Sequence, residues 1–102
     1  MLAGAQLTGD EHGQLADALQ ITQKPLEAMN HYRIAIDMKP KNEAIWSNNL
    51  GDVLRVNNDL TGAATAYEHA LELNKDYVDA LYSLGLTYSS LCRYDEAREK
   101  YE

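Results

Sequence analysis

Apolar residues return every three or four positions along most of this 102-residue chain, in stripes separated by short polar breaks. Leu81, Leu84, Gly85, Tyr88 and Leu91 form one stripe; Leu60, Ala63, Ala64, Tyr67, Ala70 and Leu71 form another. This is the period of an α-helix with one buried face. The breaks, "VNND" and "CRY" among them, are too short to hold anything but a turn. The pattern predicts helices near residues 10–22, 26–38, 43–57, 60–73, 77–91 and 94–102. Asn42, Asp59 and Asp76 are candidate N-caps, and Pro25 suits a first helical turn.

The stripes are also copies of one another. Leu50, Gly51, Leu54, Leu60, Ala63 and Tyr67 are matched 34 residues later by Leu84, Gly85, Tyr88, Tyr94, Ala97 and Tyr101. A more worn copy lies 35 residues upstream, at Leu15, Ala16, Leu19, Pro25, Ala28 and Tyr32. Each copy reads as an antiparallel helical hairpin, so the chain is expected to be a stack of three. The expected division is a tail over 1–8, then repeats over about 9–42, 43–77 and 78–102.

One copy carries a spare residue. Trp46 stands five residues before Gly51, whereas Leu81 stands four before Gly85. Five helical steps turn Trp46 roughly 140° away from Gly51. A π-type bulge within "SNN" would restore the face and bury both Ile45 and Trp46, which favours it. The alternative is a regular helix with the insertion in the loop "KPKNEA" and Ser47 in the buried place.

The segment "ALYSLGLTYSSLCRYDEAREKYE" combines a large residue, Leu-Gly, tyrosines and alanine at spacings that resemble the tetratricopeptide repeat. The resemblance covers about residues 9 to 102. It departs from the family at Lys75, where proline is usual, and at Ala16 and Cys92, where glycine is usual. It implies an all-α, right-handed α-α superhelix (solenoid) of three antiparallel hairpins, with the first helix of each pair lining a concave groove. The groove positions carried over are Gly13, Gln14 and Asp17; Ser47, Asn48 or Asn49, Asp52 and Arg55; and Asp79, Tyr82, Ser83, Leu86 and Ser89. Some relatives grip a terminal carboxylate with lysine and arginine in this groove. Here those places hold Gly13, Asp79 and Ser83, so a carboxylate clamp is disfavoured. Gln14, Asp17, Asn48, Asn49, Asp52, Arg55, Tyr82 and Ser83 are the candidate peptide-binding residues. Their amides offer both donors and acceptors, and their acids suit a polar or basic partner.

Charge narrows the partner classes. The net charge of −7 argues against binding nucleic acid or an anionic membrane surface through basic residues. No catalytic set assembles and no cofactor is implied. His12, His31 and His69 occupy unrelated places in the repeat and read as surface residues, and "DEHGQ" is not a zinc motif. Cys92 reads as an incidental exposed thiol in a turn. With a single cysteine and no leader-like segment, a reducing compartment is expected and the cytoplasm favoured. The expected function is therefore a non-catalytic scaffold that takes a peptide or partner segment in the groove. One alternative is a homo-oligomerising module that associates through its C-terminal hairpin, where Leu81, Leu84, Tyr88, Ala97 and Tyr101 lack a covering helix. Another is a substrate-recruiting fragment of a larger enzyme such as a glycosyltransferase.

Overall fold

The computed structural model describes the backbone of residues 6–101 and the side chains of residues 6–93 and of Asp95. Five helices follow in order: α1 (Gly9–Ile21), α2 (Pro25–Asp37), α3 (Glu43–Val56), α4 (Leu60–Leu73) and α5 (Val78–Tyr101). No strand occurs among the described residues. Each helix packs on the next, and α3 also touches α1 and α5. That is the layout of a hairpin solenoid, all-α and elongated, with extents of 62 × 29 × 19 Å. Residues 1–5 of the expected tail lie outside the described residues.

The hairpin turns explain themselves locally. Gln23 and Asn58 both adopt a left-handed backbone, with φ of 62° and 67°. After α1, Lys24 N–H donates to Leu19 O and Gln23 N–H to Gln20 O; after α3, Asp59 N–H donates to Leu54 O and Asn58 N–H to Arg55 O. These are two Schellman motifs, which satisfy the last carbonyls of each helix. Pro25 then opens α2, and Asp59 caps α4 by accepting from Gly62 N–H at 3.0 Å. At the start of α1, Thr8 and Glu11 form a reciprocal capping box, signalled by "TGDE" in the sequence. Asn42 stands at the N-cap of α3 without a side-chain bond. Asp76 lies before Tyr77, the residue that precedes α5, and is not its cap.

The third copy differs from the expectation of a hairpin: α5 runs through Leu91, Cys92 and Arg93 without a turn. The position of Gln23 and Asn58 falls on Cys92 in the third copy, and the position of the capping Asp59 falls on Arg93. Cysteine lacks the tolerance of asparagine for the left-handed conformation, arginine offers no acceptor to cap a new helix as Asp59 does, and residue 94 is tyrosine where Pro25 opens α2. Both the stop and the start signal are missing, so the helix continues. Two glycines record the consequence. A Cβ on Gly51 would lie 2.6 Å from the Tyr67 ring, whereas a Cβ on Gly85 would meet nothing within 4 Å among the described residues. The ring that would close over Gly85 belongs to Tyr101, whose side chain lies outside those described.

The favoured bulge does not occur. α3 is α-helical throughout Glu43–Val56, with no π turn. Its first residue is seven before Leu50, while that of α5 is six before Leu84, so the spare residue is absorbed where α3 begins. Ser47 takes the fully buried place. Its hydroxyl has no partner among the described residues and lines a cleft of about 310 Å³ among Ile36, Leu50, Leu54 and Ala66. Trp46, one position away, is buried toward the preceding hairpin. Its ring lies against Gly13, where an added Cβ would come within 2.2 Å, and stacks on Tyr32 at a centroid distance of 6.5 Å. Its Nε1–H donates to Asp10 at 2.7 Å. Trp46 thus joins the two hairpins, which is why it stays buried without a bulge.

Two stability measurements check this architecture. Gly51→Ala should cost about 1–3 kcal/mol by overpacking against Tyr67. Gly85→Ala should stabilise by about 0.5–1 kcal/mol, since alanine is the better helix former; a cost at Gly85 would show that a helix closes over it. Deleting Asn48 should destabilise by about 3 kcal/mol or more, because it rotates Trp46 about 100° off Gly13. Chemical denaturation of each variant reads these values directly.

Candidate functional site

Four of the candidate groove residues are brought together by α1 and α3. Asn49 Nδ2 donates to Asp17 Oδ1 at 3.0 Å, which bridges the two helices. Arg55 lies 3.8 Å from Asp52, one turn away on α3. Both carboxylates also hold a tyrosine of the same hairpin: Tyr32 O–H donates to Asp17, and Tyr67 O–H to Asp52. The third member of each cluster is also in register. Gln20 Oε1 lies 3.0 Å from the Tyr32 hydroxyl, and Arg55 Nε donates to the Tyr67 hydroxyl at 3.2 Å. Asp17, Gln20 and Tyr32 therefore recur, 35 residues on, as Asp52, Arg55 and Tyr67. In the third copy the carboxylate is replaced by Leu86.

This cluster was only partly visible in the sequence. The tyrosines read as core, and Tyr32 and Tyr67 are fully buried. The acids read as groove charge open to a partner; instead, each is half-buried and already accepts from a phenol. The missed signal was the constant spacing of Asp to Tyr, 15 residues in both hairpins. Tyr77, just before α5, was also missed. Its pKa is raised first by burial and then by the charges of Asp79 and Asp52.

The other candidates are less connected. Gln14 and Tyr82 are exposed, Ser83 is half-buried, and no side-chain bond ties them to the network among the described residues. Asn48 is 5% exposed; its Nδ2 lies 3.4 Å from Asn49 Oδ1, and its own Oδ1 has no donor. A buried carbonyl without a donor is unusual and costs stability until something supplies one.

The histidines depart from the surface reading. His12 and His31 are half-buried, with their Nδ1 atoms 3.0 Å apart and their rings stacked at a centroid distance of 5.2 Å. His69 Nε2 lies 2.8 Å from Glu43. Among the described residues no group of three or more His, Cys, Asp or Glu is placed to hold a metal ion. Nor is any helix there long and apolar enough to cross a membrane. Cys92 is exposed, on the helix rather than in a turn.

A stack of helical hairpins with small residues at the helix crossings defines a helical-repeat protein. Residues 51–91 match the family model described as the TPR repeat. A probable UDP-N-acetylglucosamine--peptide N-acetylglucosaminyltransferase SPINDLY from Hordeum vulgare is 30% identical over 92 residues, 90% of this chain and 9% of that protein. Its counterpart from Arabidopsis thaliana is 33% identical over 61 residues, 60% of this chain and 7% of that protein. A peroxisomal targeting signal receptor from Kluyveromyces lactis is 35% identical over 68 residues, 67% of this chain and 12% of that protein. The chain belongs to the tetratricopeptide repeat family. It spans between 7% and 12% of the length of these relatives.

The tyrosine–carboxylate pairs make stability depend on alkaline pH. Burial first, then the bond to a carboxylate, raise the pKa of Tyr32 and Tyr67 above the ordinary 10.0. A raised phenol pKa favours the protonated, folded form. Its contribution is complete below the unfolded value of 10.0 and is lost as pH climbs toward the folded value. Phenolate absorbance should therefore show Tyr32 and Tyr67 ionising together with loss of helical circular dichroism. Ionisation of all seven tyrosines before any unfolding would contradict the pairing.

Proposed function

We propose that this chain is a non-catalytic protein-interaction scaffold. Its concave face receives a polar or basic peptide segment along Gln14, Asp17, Asn48, Asn49, Asp52, Arg55, Tyr82 and Ser83. The observation that carries this reading is the half-buried Asn49–Asp17 bridge at 3.0 Å, which sets an amide and a carboxylate side by side across α1 and α3 within reach of a peptide backbone. Asp17, Asp52 and Asp79 add acceptors and negative charge along the same face, which favours a partner with lysine, arginine or amide side chains. The family resemblance supports a protein or peptide partner.

Titration with short lysine-rich, amide-rich and acidic peptides tests it. The first two should bind more tightly than the third. Asn49→Ala should weaken binding about tenfold while helical content is unchanged. Tighter binding of the acidic peptide would overturn the proposed chemistry.

A second reading is self-association. It is favoured by the exposure of Leu81, Leu86 and Tyr88 on α5, between 42% and 51%. Light scattering would show a dimer that strengthens with salt, since salt screens the net charge of −7. A chain that stays monomeric in salt would exclude this reading. The similarity to the SPINDLY proteins supports a third, in which these repeats recruit a substrate for an enzyme of which they are a part.

A further inference from the structure

The chain carries 16 Asp and Glu against nine Lys and Arg, yet one cleft gathers two arginines and two serines. It lies between the end of α3, the start of α4 and the outer half of α5, with a volume of about 440 Å³. Arg55 borders it from α3; Ser89, Ser90 and Arg93 border it from α5, and Leu60 and Leu86 supply apolar wall. The unbroken course of α5 is what aligns the α5 side. Ser89 and Arg93 are four residues apart and Ser90 and Arg93 three, so a continuous helix puts all three on one face.

The two cations are held differently. Arg55 is fixed by the Tyr67 hydroxyl at 3.2 Å and by Asp52 at 3.8 Å, with 36% of its side chain still exposed. Arg93 is exposed, and no hydrogen bond or ion pair to it is seen among the described residues. Among the described acids near the cleft in sequence, Asp52 accepts from Tyr67, Asp59 caps α4, and Asp95 is not without a partner. The cleft therefore offers the Arg93 guanidinium, the remaining N–H groups of Arg55 and two hydroxyls from different sides. That donor set suits a tetrahedral dianion with three terminal oxygens better than a flat carboxylate.

We propose that this cleft is a binding site for a phosphate monoester. It shares Arg55 with the proposed peptide-binding face but rests otherwise on Arg93 and the two serines, which that face does not use, so it does not depend on a peptide occupying the groove. The phosphate is carried either on a modified side chain of a partner or as the free ion, and the two sources share this chemistry.

The test is titration of the chain with phosphoserine amide, inorganic phosphate and acetate, followed by amide chemical shifts in two-dimensional NMR. Saturable shifts centred on Ser89, Ser90 and Arg93 are expected with both phosphates and not with acetate. Tighter binding of phosphoserine amide would assign the site to a modified side chain; equal or tighter binding of inorganic phosphate would assign it to the free ion. Arg93→Gln should weaken phosphate binding by about tenfold or more without changing the melting transition. Ser89→Ala should weaken it less. Two results would each overturn the proposal: no saturable shifts with either phosphate, or equal affinity for acetate. Phosphate binding unaffected by Arg93→Gln would overturn it as well.

Discussion

The contact on which the rest of the molecule depends is the Trp46 indole against the backbone of Gly13. Within a hairpin, helices meet through alanine and tyrosine: Ala16, Ala28, Tyr32 and Ala35 in the first, Ala63, Ala66 and Tyr67 in the second. Trp46 is the large ring that crosses from the second hairpin into the first, and it fits only because residue 13 has no Cβ. Its N–H reaches Asp10 in the first turn of α1, so the ring is fixed at both its apolar and its polar end. With that angle set, Asn49 arrives beside Asp17, and the acidic inner face becomes continuous across the two helices.

The spare residue of the second repeat has a physical meaning in this light. A regular helix that begins one residue early delivers tryptophan to the neighbouring hairpin and leaves a serine in the place that Leu81 occupies in the third copy. The hairpin interface gains an aromatic anchor. The second hairpin in turn keeps a hydroxyl without a partner among the described residues and a cleft beneath α2 and α4. The sequence held both possibilities, and burial of Trp46 seemed to require a bulge. That argument failed because it assumed one buried face for the helix, whereas α3 is covered by α1, α2, α4 and α5.

Much of the fold was legible from periodicity, since three copies in phase leave little freedom in where helices begin. The third turn was not. Helical spacing continues equally well through a turn of suitable length and through an unbroken helix. What decides between them is two residues, Cys92 and Arg93, where the other copies have a left-handed turn and, in the second copy, a capping aspartate. The inner face was legible as a set of positions carried over from the family. Its internal bonding was not, because a tyrosine at a core position and an aspartate at a groove position gave no sign, read separately, that one holds the other. The pairing shows only when their constant separation is compared between copies.

A double-mutant cycle on Gly13 and Trp46 tests the central contact most directly. In the parent chain, Gly13→Ala forces a methyl group into the indole and should destabilise strongly. In a Trp46→Leu background the same change should cost little, or stabilise α1 through the better helix propensity of alanine. The predicted coupling is about 1–3 kcal/mol. Additivity within a few tenths of a kcal/mol would mean that the ring does not rest on Gly13, and that another contact sets the angle between the hairpins.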